Sequence, residues 1–221
     1  MTRHYPHIVV FIAAILIAGN ASSAEQLYSK QPPTTPELAV VGPFTVGVTT
    51  LNVVDDDRLN TGNFITRAPR PLVLEVWYPA TLSAAFDKNT PKATYSDVTR
   101  LQKPFELQGE AYRDAVPVSE GQFPLMFLSH GFTGYRTQMF YLAEHLASHG
   151  YMVVGIDHKD STNAEVFDDA TRASGFISTL YNRARDQQFL LDYFSNPNEA
   201  LPILGLKARM DTNSAGIIGH S

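Results

Sequence analysis

The chain contains no cysteine, so a structural disulfide, a thiol nucleophile and a cysteine-ligated metal site are all excluded. Positive charge is also scarce: 17 Lys and Arg stand against 22 Asp and Glu, and the formal net charge is −5. Without basic clusters the chain has no electrostatic reason to bind nucleic acid. With 44% hydrophobic and 18% charged residues, the composition is that of an ordinary globular domain stabilised by its core alone.

A long membrane-spanning run is missing as well. The most prominent apolar run, Ile8 to Ala18, is shorter than the roughly 17–25 residues that cross a bilayer. It follows the positive Arg3 and precedes the small residues of 21–24, a pattern typical of a cleavable signal peptide. We therefore predict a signal peptide over residues 1–24, cleavage near Ala24, a secreted or periplasmic protein, and no stable membrane anchor after cleavage. A membrane anchor is the alternative interpretation.

The first half of the mature chain predicts β-structure with long connections. Residues 25–43 contain several prolines without a sustained period and indicate an extended lead-in to a single domain over 44–221. Residues 44–54 and 72–78 predict two strands that form an antiparallel hairpin at the edge of a sheet, with a solvated turn at 55–57. Residues 80–122 are polar and broken by prolines, and indicate either an excursion that shapes a site or a mobile loop.

The second half alternates buried strands with amphipathic helices, which predicts an α/β fold with a mostly parallel sheet. Strands are predicted at 123–128, 151–156 and 215–218. One helix follows the periodic residues from Met139 to Leu146 and ends at Gly150. The other covers roughly 180–194, with Ala184 on its apolar side, Asp186 largely on its polar side, and a break at 195–198.

Ser221 is the strongest candidate for chemistry. It ends the segment Gly219-His220-Ser221, directly after the apolar strand 215–218. A buried strand followed by Gly-x-Ser is the first half of the G-x-S-x-G nucleophile elbow, a sharp turn that lifts a serine hydroxyl above the end of a sheet. We interpret Ser221 as a nucleophile. The alternative is a plain loop serine.

Two further positions follow the other parallel strands. In His130-Gly131-Phe132, glycine allows close approach of the backbone to a substrate, and Phe132 would present its main-chain N–H to an oxyanion; the alternative is an ordinary turn between strand and helix. His158 lies just past the next strand, where it could contact substrate or make a structural hydrogen bond. A metal site from Asp157, His158 and Asp160 is a weaker alternative, and no metal or cofactor is predicted.

Five segments together carry a family resemblance. They are the strand ending Val-Trp-Tyr-Pro at 73–79, the turn Leu-Ser-His-Gly-Phe-Thr-Gly-Tyr-Arg at 128–136, residues 144–151, residues 157–160, and Ile-Gly-His-Ser at 218–221. From about Gly42 to Ser221 the chain resembles α/β-hydrolases of the platelet-activating factor acetylhydrolase and dienelactone-hydrolase-like esterase branch. The resemblance implies an α/β-hydrolase fold with an antiparallel N-terminal hairpin, Ser221 as nucleophile, and the Phe132 amide as half of the oxyanion hole.

The same resemblance implies that the catalytic acid and histidine follow the nucleophile in chain order. We therefore expect an N-terminal part of an α/β-hydrolase domain that stops after the elbow strand and is inactive alone. The predicted function is a serine carboxyl-ester hydrolase that forms an acyl-enzyme on a small-molecule or lipid ester. The alternative is a non-catalytic binding module on a degenerate hydrolase scaffold. The oligomeric state is not indicated.

Overall fold

The computed structural model describes residues 25–26, 34–82 and 90–221, so the predicted signal peptide at 1–24 lies outside the described residues. In chain order, the strands are β1 (Glu25–Gln26), β2 (Thr45–Leu59), β3 (Arg67–Thr81), β4 (Thr94–Val98), β5 (Pro104–Gln108), β6 (Tyr112–Arg113), β7 (Val116–Pro117), β8 (Phe123–Ser129), β9 (Met152–Asp157) and β10 (Met210–Gly219). The α-helices are α1 (Phe140–Ser148) and α2 (Asp169–Ser195). Short 3-10 turns cover Pro36–Leu38 and Lys207–Arg209.

The main sheet has seven strands in the order β10-β8-β9-β3-β2-β6, with β7 paired to β3. β8 is parallel to both β9 and β10, whereas β3 is antiparallel to β9 and to β2. The predicted antiparallel hairpin and parallel strands are therefore confirmed, but the predicted edge position is wrong for β3, which lies between β9 and β2. The carboxyl ends of β8, β9 and β10 meet at one edge of the sheet, which is where open α/β sheets place their ligands.

The prolines of β3 lie where the sheet tolerates them. Only Val73–Trp77 of this strand pairs with β9. Pro69, Pro71 and Pro79 lie outside that stretch, so their missing N–H groups do not interrupt the pairing with β9. This placement lets a proline-rich strand occupy an interior position of the sheet.

The prediction of a turn at Asp55, Asp56 and Asp57 is wrong. β2 continues through them to Leu59, and a register shift against β3 falls between Asp55 and Arg58. A bulge of this kind re-aims a side chain. Here it turns Arg58 into the protein, where its side chain is buried, while Asp56 and Asp57 stay exposed.

The described part of the 80–122 excursion is ordered. β4 and β5 form an antiparallel hairpin, with β1 parallel to β5 in a second, three-stranded sheet. Aromatic and aliphatic side chains of this hairpin are buried in one core cluster with Trp77, which donates a hydrogen bond to Tyr95 Oη at 2.8 Å. At its tip, Gln102 Nε2 donates to the carbonyl of Asn163 at 2.6 Å, so the hairpin reaches the loop that follows β9. The excursion therefore borders the edge of the sheet at which β8, β9 and β10 end.

The two helices pack against separate core clusters. α1 joins a cluster with Trp77 and Val153, and α2 joins a cluster with Val76 and Val154. Successive residues of β3 and β9 thus belong to different clusters, as the alternation of side chains across a sheet requires. Gly150 follows α1 with a φ of 92°, which confirms the predicted glycine stop.

α2 is much longer than predicted. The helix was predicted to begin at about residue 180, but it starts after Asp168, whose carboxylate accepts a hydrogen bond from Thr171 N in a capping box. Its buried positions follow helical spacing but are mostly small or polar until the last two: Gly175, Ser178, Asn182, Asp186, Leu190 and Phe194. Because hydrophobic periodicity detects only apolar faces, the first half of the helix escaped prediction. Ala184 is exposed and Asp186 is buried, the reverse of the predicted sides.

Asp186 is the centre of a buried ion cluster. Its carboxylate accepts hydrogen bonds from Arg58 Nη1 at 2.9 Å and from Arg70 Nε and Nη2 at 2.8 and 2.9 Å. Both arginines are almost fully buried. Burial alone would raise the pKa of Asp186, but hydrogen bonds from His158 and Arg70 and the charge of Arg70 outweigh it and lower the pKa. The cluster joins the hairpin of β2 and β3 to α2.

Within the part of the chain that the structure describes, no helix is long and apolar enough to cross a membrane.

We expect the substitution Asp186→Asn to destabilise the protein strongly. Removing one partner of a buried ion pair costs about 3–5 kcal/mol because the remaining charges stay buried without compensation. Urea unfolding of the full-length protein measures this cost, with the exposed Asp192→Asn on the same helix as the matched control.

The pH dependence follows from the lowered pKa of Asp186. A depressed carboxylate contributes stability above its unfolded pKa of about 3.9 and loses it as the pH falls through the folded value. The difference in free energy of unfolding between wild type and Asp186→Asn should therefore shrink below about pH 4. If Asp186→Asn lowered the free energy of unfolding at neutral pH by no more than Asp192→Asn does, the stabilising role of the Asp186 carboxylate would be contradicted.

Candidate active site

Two turns that the sequence singled out lie against each other at the carboxyl edge of the sheet. Gly219 of β10 is in register with Ser129 of β8, and the N–H of His220 donates to the carbonyl of Ser129 at 2.9 Å. A Cβ placed on Gly131 would lie 3.0 Å from His220 Nδ1 and 3.3 Å from the carbonyl carbon of Ser221. Only glycine fits this approach without displacing its neighbours.

Ser221 and Phe132 are accessible at this contact. Ser221 is exposed and Phe132 is half-buried. Among the described residues, the N–H of Phe132 donates no hydrogen bond to the protein. A main-chain N–H without a partner can donate to an oxyanion that develops next to it.

The turn 129–134 is held in a defined conformation. The N–H of Gly134 donates to the carbonyl of Gly131 at 2.9 Å, and the N–H of Thr133 donates to the carbonyl of Ser161 at 2.9 Å. Thr133 has a φ of 63°, which a β-branched residue adopts only when its surroundings impose it. The loop after β9 therefore fixes the turn after β8.

Arg183 of α2 fastens the same turn. Its guanidinium donates to the carbonyl of His130, to Ser129 Oγ at 3.3 Å and to Ser161 Oγ at 2.7 Å. The backbone between the ends of β8 and β9 is thus tied to the helix that carries Asp186.

His158 lies inside the protein. Its ring is fully buried, with Nε2 3.0 Å from Ser129 Oγ and Nδ1 3.0 Å from Asp186 Oδ2. Burial lowers the pKa of His158 against the opposing influence of Asp186, so the ring is neutral, donating from Nδ1 to the carboxylate and accepting from the serine. Both ring nitrogens make hydrogen bonds to protein side chains. Of the two roles considered for His158, this geometry favours a structural hydrogen bond over a contact with substrate.

Ser129, His158 and Asp186 have the connectivity of a Ser-His-Asp triad. Ser129 is only 4% exposed, and a guanidinium donates to its hydroxyl. A nucleophile must reach its substrate, and the burial of Ser129 leaves little of this residue accessible. The arrangement therefore ties two strand ends to α2.

The three residues of the alternative metal site have separate partners. Asp157 accepts from Arg136 N at 2.5 Å and from Arg136 Nη1 at 2.7 Å, whereas Asp160 accepts from Ser178 Oγ at 2.9 Å. Across the described ranges, no group of three or more His, Asp or Glu side chains is arranged to hold a metal ion.

The comparisons with known proteins cover this region. The family model described as platelet-activating factor acetylhydrolase, isoform II, matches residues 34–176, more than half of the chain. The chain belongs to this family.

Two relatives support the assignment to this acetylhydrolase family. The chain is similar to platelet-activating factor acetylhydrolase of Cavia porcellus, with 27% identity over 135 residues that cover 48% of this chain and 31% of the relative. It is also similar to the solved ferulic acid esterase from Streptomyces cinnamoneus, with 26% identity and a TM-score of 0.58 over 80% of this chain and 52% of that one. The chain thus spans about a third and about half of their lengths. The predicted α/β-hydrolase fold and esterase branch are confirmed.

The span of the acetylhydrolase family model includes the turn at Phe132 and His158, whereas Asp186 and Ser221 lie after it. The roles of Arg70, Arg183 and Asp186 were not predicted from the sequence. One signal was available: Arg70 stands between two prolines in a strand that is otherwise largely apolar, a position where an unpaired charge would be costly.

We expect Gly131→Ala to lower kcat/KM for ester hydrolysis by about tenfold to a hundredfold, because the added methyl group pushes the turn away from the Ser221 backbone and such displacements are costly in catalysis. Steady-state kinetics of the full-length protein measure the effect. Gly62→Ala in the exposed β2–β3 turn is the control. Wild-type kinetics of Gly131→Ala would show that the close approach has no role in turnover.

Proposed function

We propose that this family member is a serine carboxyl-ester hydrolase that works through an acyl-enzyme. Ser221 is the nucleophile, and the main-chain N–H of Phe132 is one oxyanion donor. The observation that carries the proposal is the contact between the Gly131 backbone and the His220-Ser221 turn. The amide without a hydrogen-bond partner among the described residues and the exposed serine support the proposal, because both follow strands at the carboxyl ends of which open α/β sheets bind their ligands.

In the proposed reaction, Ser221 Oγ attacks the ester carbonyl carbon as a base removes its proton. The carbonyl oxygen becomes an oxyanion that accepts a hydrogen bond from Phe132 N. The intermediate then collapses, the C–O bond to the alcohol breaks, and the alcohol leaves with the proton returned by the base. Water attacks the acyl-serine by the same steps and releases the carboxylic acid.

The base and its orienting acid are proposed to follow Ser221 in chain order. The resemblance stated above implies this order. The hydrogen bonds and the burial of His130 and His158 agree with it. Both ring nitrogens of His158 are hydrogen bonded, and burial, with a smaller contribution from His158, lowers the pKa of His130 to about 3. Neither ring is available to take a proton from Ser221. Residues 1–221 expressed alone are therefore expected to have negligible activity.

The substrate class is a carboxyl ester. The two relatives are named for platelet-activating factor and for ferulic acid, and both names include an ester-cleaving activity. We propose a small-molecule or lipid ester as substrate, and an exported protein whose signal peptide is residues 1–24.

Covalent labelling tests the proposed nucleophile. The full-length protein is treated with a fluorophosphonate, the modified residue is identified by mass spectrometry, and hydrolysis of a short-chain aryl ester is followed in parallel. Ser221→Ala should abolish labelling and lower kcat by several orders of magnitude, as loss of a serine nucleophile does.

Ser129→Ala is the matched variant at the buried serine. It should retain labelling at Ser221, because the proposed nucleophile is unchanged. Labelling that depends on Ser129, or unchanged turnover in Ser221→Ala, would contradict the proposal. An inert full-length protein that binds esters without hydrolysing them would favour the binding module instead, and full turnover by residues 1–221 alone would refute the expected position of the base.

A further inference from the structure

We infer that His130 is a positioning residue for the oxyanion hole: its imidazole holds the Gly131 carbonyl and thereby aims the N–H of Phe132. The inference rests on the proposed function. It gives a role to the ring of His130, whereas the sequence predicted a role only for the backbone of this turn.

One peptide group links the His130 ring to the Phe132 donor. The carbonyl of Gly131 and the N–H of Phe132 belong to the same planar, trans peptide, so they point in opposite directions and turn together. His130 Nδ1 lies 2.6 Å from the carbonyl oxygen of Gly131. Fixing that oxygen therefore fixes the direction of the Phe132 donor. Gly131 has no Cβ to restrict its own rotation, so the constraint must come from elsewhere.

The hydrogen bonds of the His130 ring define its tautomer. The main-chain N–H of His158 donates to His130 Nε2 at 3.3 Å, so Nε2 accepts and the proton of the neutral ring lies on Nδ1. His130 Nδ1–H then donates to the Gly131 carbonyl. The depressed pKa of His130, caused mainly by burial, keeps the ring neutral and this assignment unchanged at physiological pH.

The His130 ring is held in place by its neighbours. His130 is 1% exposed, and its ring centroid lies 5.4 Å from that of His158 in an edge arrangement. A Cβ on Gly134 would lie 2.8 Å from His130 Nδ1, so Gly134 packs directly on the imidazole. The N–H of Gly134 supplies a second donor to the Gly131 carbonyl at 2.9 Å. The carbonyl is thus held by two donors, of which His130 supplies the only side chain among the described residues.

A pair of substitutions separates positioning from folding. In His130→Asn the side-chain amide nitrogen can take the place of Nδ1 and donate to the same carbonyl, whereas His130→Leu has similar bulk and no donor. We expect His130→Leu to lower kcat for a short-chain aryl ester by about tenfold to a hundredfold, less than the loss of a whole oxyanion donor. KM should stay within about threefold, because the donor acts mainly on the transition state.

His130→Asn should recover most of the lost kcat. The affinity of the full-length variants for a trifluoromethyl ketone, which forms a tetrahedral adduct, should fall in parallel with kcat/KM. His145→Asn, on α1, is the control and should behave as wild type. Equal kcat in His130→Leu and His130→Asn, or a loss confined to KM, would overturn the inference.

A measurement on the unmodified protein does not depend on whether a variant folds. The nitrogen chemical shifts of the His130 imidazole should report a protonated Nδ1 and an unprotonated Nε2. A protonated Nε2 would overturn the inference even if neither variant could be purified. Failure of this inference leaves Ser221 labelling intact, whereas failure of the proposed function removes the labelling itself.

Discussion

The candidate site at the carboxyl ends of β8, β9 and β10 depends on the ion pairs and hydrogen bonds of the buried Asp186 carboxylate. This carboxylate forms ion pairs with two buried guanidinium groups and accepts a hydrogen bond from a neutral imidazole, and each of these groups comes from a different segment: Arg58 from β2, Arg70 from β3 and His158 from the loop after β9. Burying charge is costly unless it is paired and hydrogen bonded. The hairpin, the parallel strands and α2 must therefore adopt their relative positions together.

This cluster supports the turn that carries the proposed oxyanion donor. Asp186 orients His158, whose ring accepts from Ser129 and whose main-chain N–H donates to His130. His130 in turn holds the peptide that contains the Phe132 N–H. A continuous path of hydrogen bonds thus runs from the ion cluster to the accessible site, in which buried groups position the backbone and exposed groups are left for substrate.

The antiparallel hairpin of β2 and β3 and the parallel strands β8, β9 and β10 could be predicted because each is encoded in adjacent residues. The ion cluster could not, because its partners lie far apart in sequence: Arg70 and Asp186 are separated by 116 positions. Asp186 was predicted to be solvated, since the residues that precede it on the buried face of α2 are small or polar and give no hydrophobic period. The bulge at Asp55 to Arg58 escaped prediction because the buried partner of Arg58, Asp186 on α2, lies far away in the sequence.

Ser221 and the Phe132 amide are proposed to act on the same carbonyl group of the substrate. The most direct measurement is a crystal structure of the full-length protein after reaction with a phosphonate ester, which leaves a tetrahedral adduct. We expect phosphorus bonded to Ser221 Oγ and a phosphonyl oxygen about 2.7–3.1 Å from Phe132 N. An adduct on another residue, or a phosphonyl oxygen directed away from Phe132 N, would contradict the account.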